Sequence, residues 1–251
     1  MERTRVRRFG VKAVVCAAIG WIAMLAGASR AQADAAPEPT LAPLTALELP
    51  ATADLAGVVI FPARTPGPHP ITVLLHGMCG DAARSCSHFA EQVTESANLV
   101  CPRANQRCSG GGVSWPEQGV DEAVEAAVAR AKSTLGAAVD ESHGRTLIGY
   151  SLGAYRALHI AQASSGKYRR VMLIGAKVAL DPARLTENGV ERVLLCAGAW
   201  DMMHDPMQRE AQRVRRAPFQ TRFLDLGPVG HTFTPSFASY LPQALSWLSG
   251  A

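Results

Sequence analysis

Residues 145–158 read RTLIGYSLGAYRAL, and this stretch decides the fold. A short apolar segment leads into a Gly-x-Ser-x-Gly corner at 149–153, and an Ala- and Leu-rich segment follows. A serine hydroxyl becomes a nucleophile when it projects beside a base, and a sharp corner between a strand and a helix holds it there. Gly149 and Gly153 have no Cβ, so strand and helix can pack closely around Ser151. The pattern predicts a nucleophilic Ser151, with a simple helix cap as the structural alternative.

The first 33 residues have the features of a secretory signal. A basic start precedes an apolar run over residues 11–28, and small residues flank Gln32. We expect cleavage after Ala33, which leaves an exported protein without stable membrane insertion. A retained membrane anchor is the alternative, because the apolar run approaches spanning length. Residues 34–43 are rich in Ala and Pro and are predicted to be a mobile lead-in.

The formal net charge of +4 comes from the predicted leader. Residues 1–33 contribute +5, so the rest of the chain carries a charge of −1. A balanced charge gives no basic surface for nucleic acid, and nucleic-acid binding is therefore excluded as a predicted function. With nearly half of its residues apolar, the chain is predicted to form one domain over residues 44–251.

Four clustered cysteines and one isolated cysteine follow the leader, at Cys79, Cys86, Cys101, Cys108 and Cys196. Export exposes them to oxidising conditions, so the first four are predicted to form two disulfides. Three pairings are possible, and the short loops Cys79–Cys86 and Cys101–Cys108 are slightly favoured. A zinc site is the alternative, but zinc ribbons use C-x2-C pairs rather than C-x6-C, and no metal is predicted. Cys196 lies in an apolar run and is predicted to be a core residue.

Apolar runs alternate with helical patterns along the rest of the chain. The runs predict strands at 57–61, 71–75, 98–102, 145–148, 171–175, 193–198 and 222–226, with a weaker one near 46–49. The helical patterns cover 85–96, 118–135, 206–216 and 237–248. This alternation predicts an α/β fold with a mostly parallel central sheet and helices on both faces.

The strand at 71–75 runs into the loop His76–Asp81. A Gly-bearing loop in this position can direct a backbone N–H toward a neighbouring site. We expect the N–H groups of Met78 and Leu152 to bind the oxyanion of an acyl-transfer reaction. A plain strand-ending turn is the alternative.

A serine nucleophile needs a histidine base and a carboxylate that orients it. Of seven histidines, His231 is the predicted base because it lies in a loop just beyond the last strand, and His204 is its rival. Asp201 is the predicted acid because it follows a strand directly. Asp205 and Asp225 are alternatives, the first as a possible helix cap and the second only if its strand ends early.

The order Ser, Asp, His, with a His-Gly loop upstream and each group at a strand end, resembles the α/β-hydrolase superfamily over about residues 44–250. The sequence is similar to small secreted carboxylesterase and dienelactone-hydrolase-like members. The resemblance implies the α/β-hydrolase fold and a Ser151, Asp201 and His231 triad. True dienelactone hydrolases carry Cys at the position of Ser151, so their substrate is not transferred.

Only about sixteen residues separate the strand ending near Gly175 from the next one. Many α/β-hydrolases insert a lid domain there, so we expect an open pocket. Its predicted lining is the loop 103–117 together with Met78, Trp200 and Met202. Trp115, within that loop, is a candidate substrate-binding residue, with a position at the edge of the core as the alternative.

These features together predict an exported serine hydrolase that cleaves carboxylic esters through an acyl-enzyme. No metal or organic cofactor is implied, and the expected substrate is a small-molecule or polymer-borne ester. A peptidase or acyltransferase on the same triad and a non-catalytic binding protein with the same fold are the alternatives. The sequence leaves the oligomeric state open.

Overall fold

The structure is a computed structural model that describes residues 41–52 and 56–250. The predicted signal peptide, its cleavage site and most of the lead-in at 34–43 lie outside these residues. Among the described residues, no helix combines the length and the hydropathy that crossing a membrane requires.

An eight-stranded sheet forms the centre of the domain. Its strands lie in the order β1-β2-β4-β3-β7-β8-β9-β10. They span Leu47–Leu49 (β1), Val58–Phe61 (β2), Ile71–Leu75 (β3), Asn98–Pro102 (β4), Arg145–Tyr150 (β7), Tyr168–Ile174 (β8), Arg192–Ala197 (β9) and Gln220–Asp225 (β10). Neighbours are antiparallel at β1/β2 and β2/β4 and parallel from β4 to β10. A separate two-stranded ribbon pairs Gln106–Arg107 (β5) with Val113–Ser114 (β6). The mostly parallel sheet is as predicted.

Within the described part of the chain, six helices cover the two faces of the sheet. They are Ala82–Val93 (α1), Val120–Leu135 (α2), Leu152–Ala161 (α3), Pro182–Glu187 (α4), His204–Arg213 (α5) and Leu241–Ser249 (α6), with short 3-10 turns at Gly136–Ala138 and Pro235–Ser239. Buried side chains of α1 and α6 pack in one cluster with one face of the strands. Those of α2, α3, α4 and α5 pack in a second cluster with the other face. The strands are buried on both sides, which explains their continuous apolar runs.

The observed helix bounds differ from the predicted ones at the caps. The helix α1 begins at Ala82 rather than at residue 85, because the Asp81 carboxylate caps it by accepting a hydrogen bond of 2.8 Å from the Arg84 N–H. The predicted closing helix is divided into the 3-10 turn Pro235–Ser239 and α6, with Pro242 in the first turn of α6. Proline is tolerated there because first-turn N–H groups have no partner within the helix.

The two disulfides connect Cys79 to Cys108 and Cys86 to Cys101, so the favoured pairing of sequence neighbours was wrong. Cys86 projects from the buried face of α1 toward β4, which contains the buried Cys101. The loop carrying Cys79 instead contacts the β5–β6 ribbon, next to Cys108. Cys196 is a buried free thiol in β9, as predicted, and burial raises its pKa.

The segment between β8 and β9 contains α4 and no further helix or strand. The expected absence of an inserted lid is therefore confirmed for this connection. The parallel strands β3, β7, β9 and β10 all end at the same edge of the sheet, and each predicted site segment follows one of these ends.

Candidate active site

Ser151 lies at the corner between β7 and α3 in a backbone conformation with φ 54° and ψ −119°. Its N–H donates to the Ile174 carbonyl at 2.8 Å, which ties the corner to the adjacent strand β8. A Cβ on Gly149 would overlap the backbone carbonyl oxygen of Gly153, and a Cβ on Gly153 would overlap that of Leu75. Both glycines are therefore required by the close approach of strand and helix, as the sequence pattern indicated.

The structure brings the three predicted triad residues together. His231 Nε2 lies 2.9 Å from Ser151 Oγ, and His231 Nδ1 lies 2.8 Å from Asp201 Oδ2. These pairs are 80 and 30 residues apart in the chain, so only the fold joins them. Nδ1 must donate to the carboxylate, which leaves Nε2 available to accept the serine proton.

Asp201 is held by its surroundings. Its side chain is only 3% exposed, and its second oxygen accepts a hydrogen bond of 2.9 Å from the Met203 N–H. Gly175, with φ 62°, lies against this pair, and a Cβ there would come within 2.9 Å of His231 Cε1 and 3.1 Å of Asp201 Oδ2. The carboxylate is therefore fixed in position, and the glycine at 175 leaves room for the contact between His231 and Asp201.

Tyr150 supports His231, a role that the sequence reasoning missed. Its hydroxyl donates to the His231 carbonyl at 3.0 Å, and its ring stacks on the imidazole with 5.2 Å between ring centroids. Burial raises the pKa of Tyr150 to about 12, and the negative charge of Asp201 acts in the same direction. Tyr150 is therefore a neutral hydrogen-bond donor, and its position directly before Ser151 is the signal that could have identified it.

The rival site residues pair with one another instead of with Ser151. His204 Nδ1 lies 3.0 Å from Asp205 Oδ1, and His204 Nε2 lies 3.4 Å from Asp225 Oδ2. The hydrogen bond to Asp205, followed by the interaction with Asp225, raises the pKa of His204. These three side chains form an ion-pair group between α5 and β10 that is separate from the triad.

The loop after β3 runs directly against the nucleophile. A Cβ on Gly77 would lie 3.3 Å from Ser151 Cβ, so the backbone leading to Met78 passes beside the serine. Leu152 is the first residue of α3, where N–H groups have no partner within the helix. The two predicted oxyanion donors thus belong to segments that adjoin Ser151.

Trp115 does not line the pocket, and its assignment as a substrate-binding residue was wrong. It is 3% exposed and donates through Nε1 to the His76 carbonyl at 2.7 Å. His76 is fully buried, and burial lowers its pKa, so it is neutral. Its Nδ1–H donates to the Gly77 carbonyl at 2.8 Å, and Nε2 accepts a weak bond of 3.4 Å from the Ala104 N–H. The loop 103–117 folds back under the His76–Asp81 loop and supports it from within.

Large exposed apolar side chains occur on the segments that carry the site. Trp200 is 75% and Met202 79% exposed, on either side of Asp201 in the chain, and Met78 is 66% exposed. A cavity of about 430 Å³ is bordered by Met78, Tyr150, Phe233 and the glycine backbone at 110–112, whereas Trp200 and Met202 do not line it. The site is therefore open to solvent, as expected for a connection without a lid.

Within residues 41–52 and 56–250, no group of three or more His, Cys, Asp or Glu side chains is placed to hold a metal ion. The polar groups next to Ser151 are His231, Asp201 and backbone N–H groups, which are suited to acyl transfer.

Comparison with solved structures identifies the fold. Esterase PE8 superposes with a TM-score of 0.60 at 18% identity, covering 75% of this chain and 97% of that chain. The fluorophosphonate-binding serine hydrolase FphF of Staphylococcus aureus has a TM-score of 0.60 at 14% identity, covering 83% and 99%. A fungal esterase from Rhizomucor miehei has a TM-score of 0.62 at 13% identity, covering 84% and 85%. No protein-family model and no curated protein matches the sequence.

These structural neighbours are esterases and serine hydrolases with a central sheet of the same kind. At such low identity the comparison establishes architecture rather than activity. The chain has the α/β-hydrolase fold.

Proposed function

We propose that this chain is an exported serine hydrolase that cleaves carboxylic esters through an acyl-enzyme on Ser151. The observation that carries the proposal is the continuous hydrogen-bonded series from Ser151 Oγ through His231 to the buried Asp201, with links of 2.9 and 2.8 Å. Such a series combines a nucleophile, its base and the orienting carboxylate.

In the proposed mechanism, Ser151 Oγ attacks the ester carbonyl while His231 Nε2 takes its proton. Asp201 stabilises the imidazolium through Nδ1–H and keeps the ring in the correct tautomer. The N–H groups of Met78 and Leu152 bind the oxygen that becomes negative. His231 then protonates the leaving alcohol and afterwards activates the water that hydrolyses the acyl-enzyme.

The open entrance supports a small-molecule or polymer-borne ester as the substrate. Trp200, Met202 and Met78 present apolar surface beside the triad and would contact the groups flanking the ester. Because the β8–β9 connection contains only α4 and the His231 side chain is partly exposed, water has access to the acyl-enzyme, which favours hydrolysis over transfer to another acceptor. Several structural neighbours are esterases, which supports an ester rather than a peptide as the substrate.

Export is supported by the leader-like first 33 residues together with the two disulfides. Disulfides form and persist in oxidising compartments and are rare in the reducing cytosol. Four of the five cysteines after residue 33 are paired, which agrees with folding outside the cytosol.

The proposed activity is tested with a panel of aryl esters and peptide anilides, using Ser151→Ala as the control. We expect hydrolysis of aryl esters by the parent, at least 10³-fold less by Ser151→Ala, and negligible hydrolysis of anilides. Faster cleavage of anilides would favour a peptidase. Equal ester hydrolysis by a folded Ser151→Ala variant would refute the proposal.

A further inference from the structure

The loop His76–Asp81 is attached to the loop 103–117 on two sides. On the inner side, the His76 carbonyl accepts from Trp115 Nε1 and His76 Nε2 accepts from the Ala104 N–H. On the outer side, the Val113 N–H donates to the Gly80 carbonyl at 3.1 Å. The Cys79–Cys108 disulfide is the covalent connection between the two loops. The loop 103–117 therefore supports the segment that carries Met78.

Cys79 has an unusual backbone conformation. Together with Ser151 it is one of two non-glycine residues with a positive φ among those that the structure describes, at 52° and 54°. Such a conformation persists when the surrounding structure holds it in place. Gly112 packs so closely on Cys79 that a Cβ there would overlap the Cys79 carbonyl oxygen. Cys79 thus depends on its contacts with the partner loop, and Met78 is the residue before it.

The two disulfides differ in location and in access. Cys86 and Cys101 are buried between α1 and β4. Cys79 is exposed and Cys108 is partly exposed, so a reductant in solution reaches this pair first. The chain therefore carries an internal control, because one disulfide connects the site loop and the other connects core elements.

We propose that the Cys79–Cys108 disulfide is a positioning element for the oxyanion donor at Met78, required for full turnover. This inference rests on the proposed function of the same site. The intact disulfide holds Cys79 in its left-handed conformation and thereby holds the preceding N–H toward the substrate oxygen beside Ser151. Opening it leaves the triad unchanged, because none of Ser151, His231 and Asp201 is attached to the disulfide.

The opening is a two-electron reduction with a dithiol as the electron donor. One thiolate of the reagent attacks a cystine sulfur to form a mixed disulfide and release one protein thiolate, which takes up a proton. The second thiol of the reagent displaces the other cysteine, leaving Cys79 and Cys108 as thiols and the reagent as a cyclic disulfide.

The first test compares Cys79→Ala/Cys108→Ala and Cys86→Ala/Cys101→Ala with the parent on a neutral aryl acetate. For the first variant we expect kcat to fall about 10- to 100-fold and KM to stay within about two-fold, because an oxyanion donor acts mainly in the transition state. The second variant should lose thermal stability but keep kcat within about two-fold. A folded first variant with the parent's kcat, or an equal loss of kcat in both, overturns the inference.

A second measurement needs no substitution. The folded parent is titrated with a dithiol, activity is recorded, and quenched samples are alkylated and mapped. The loss of kcat should follow the appearance of free Cys79 and Cys108 while Cys86 and Cys101 stay protected, and reoxidation should restore it. Full activity with Cys79 completely reduced overturns the inference.

The rate at which a fluorophosphonate labels Ser151 separates this inference from the proposed function. A parent that is not labelled at Ser151 refutes the proposed function. If the parent is labelled and the Cys79→Ala/Cys108→Ala variant is labelled equally fast, only the positioning role of the disulfide is refuted.

Discussion

At the scale of single residues, Ser151 combines a left-handed backbone conformation with two contacts that fix it. Its N–H donates a hydrogen bond to the Ile174 carbonyl of β8, and its hydroxyl is within hydrogen-bond distance of His231 Nε2. A side-chain-bearing residue in this region of backbone space costs on the order of 1–3 kcal/mol. The cost places the hydroxyl clear of the backbone, where a base can reach it.

The glycine at 149 should be intolerant of even one methyl group. In Gly149→Ala the new Cβ would overlap backbone atoms of Gly153 and Ala154, which cannot move without separating β7 from α3. We expect a loss of about 1–3 kcal/mol or more in the free energy of unfolding, measured by urea denaturation. Gly110→Ala is the matched control because a Cβ there meets no atom within 4 Å. Equal stability of the two variants would contradict this reading of the corner.

Removing the Tyr150 hydroxyl should weaken the support of His231 without removing the ring. Tyr150→Phe loses a hydrogen bond worth about 0.5–1.5 kcal/mol, so kcat/KM should fall about 2- to 10-fold. Because burial raises the pKa of Tyr150 to about 12, the phenol stays protonated throughout neutral pH. The shape of the pH–rate profile between about pH 6 and 9 should therefore be unchanged.

The control for that variant is Tyr155→Phe, whose hydroxyl accepts from the Lys177 N–H rather than contacting His231. A titration step below pH 9 that the parent shows and Tyr150→Phe lacks would show that the phenol ionises near neutral pH in the parent. An unchanged rate would show that the contact with His231 has no part in catalysis.

At the scale of helices and strands, His204 connects the start of α5 to the end of β10 through Asp205 and Asp225. The hydrogen bond to Asp205 raises the pKa of His204 above its ordinary value of 6.5. A raised folded-state pKa stabilises the fold fully below that ordinary value, and this contribution is lost as pH rises through the raised pKa. The interaction of His204 with the two carboxylates should therefore stabilise the fold at acidic pH and not at basic pH.

His204→Gln should destabilise the protein more at pH 5 than at pH 8. The measurement is the difference between parent and variant in the midpoint of urea denaturation, at pH 5 and at pH 8. His143→Gln is a suitable control, since His143 is an exposed residue in the turn before β7 rather than in α5 or β10. A larger destabilisation at pH 8 than at pH 5 would contradict the assignment of a charged His204.

The strands and the corner could be predicted because local sequence specifies them. The run at 71–75 and the corner at 149–153 each contain their own signal, an apolar stretch or two glycines around a serine. The helix bounds were less accurate because they depend on single residues rather than on the apolar pattern. The Asp81 cap starts α1 three residues earlier than predicted, and Pro242 lies in the first turn of α6, after a separate 3-10 turn. Trp115 and the cystine pairing could not be predicted, because both depend on how the loop 103–117 folds back onto a distant loop.

At the scale of the whole molecule, the strand order of the sheet brings together residues that are far apart in the sequence. Strands β3, β7, β9 and β10 are parallel, so the segments after them meet at one edge. Ser151, Asp201 and His231 could be predicted as partners from this rule and their order. The position of Tyr150 directly before Ser151 places it near the site, but its stacking on His231 could not be predicted, since the period of a strand does not specify which ring lies above it.

Substitutions of the apolar side chains at the open entrance should affect substrate binding more than the chemical step. Trp200→Ala and Met202→Ala should each raise KM for a large aryl ester about five-fold and change kcat little, because an apolar contact of about 40 Å² with the substrate would contribute about 1 kcal/mol at about 25 cal/mol per Å². Leu44→Ala is the control, since Leu44 is an exposed apolar residue that does not follow a site strand. A fall in kcat with unchanged KM would assign these side chains to the transition state instead.

The most direct test of the central claim is the identification of the reactive side chain. The protein is treated with a fluorophosphonate, digested and mapped by mass spectrometry, beside His231→Ala and Asp201→Ala. We predict one modified residue, Ser151, with labelling slowed at least about 100-fold in His231→Ala because the base is lost. Labelling at another serine, or equal labelling of Ser151 without His231, would contradict the triad.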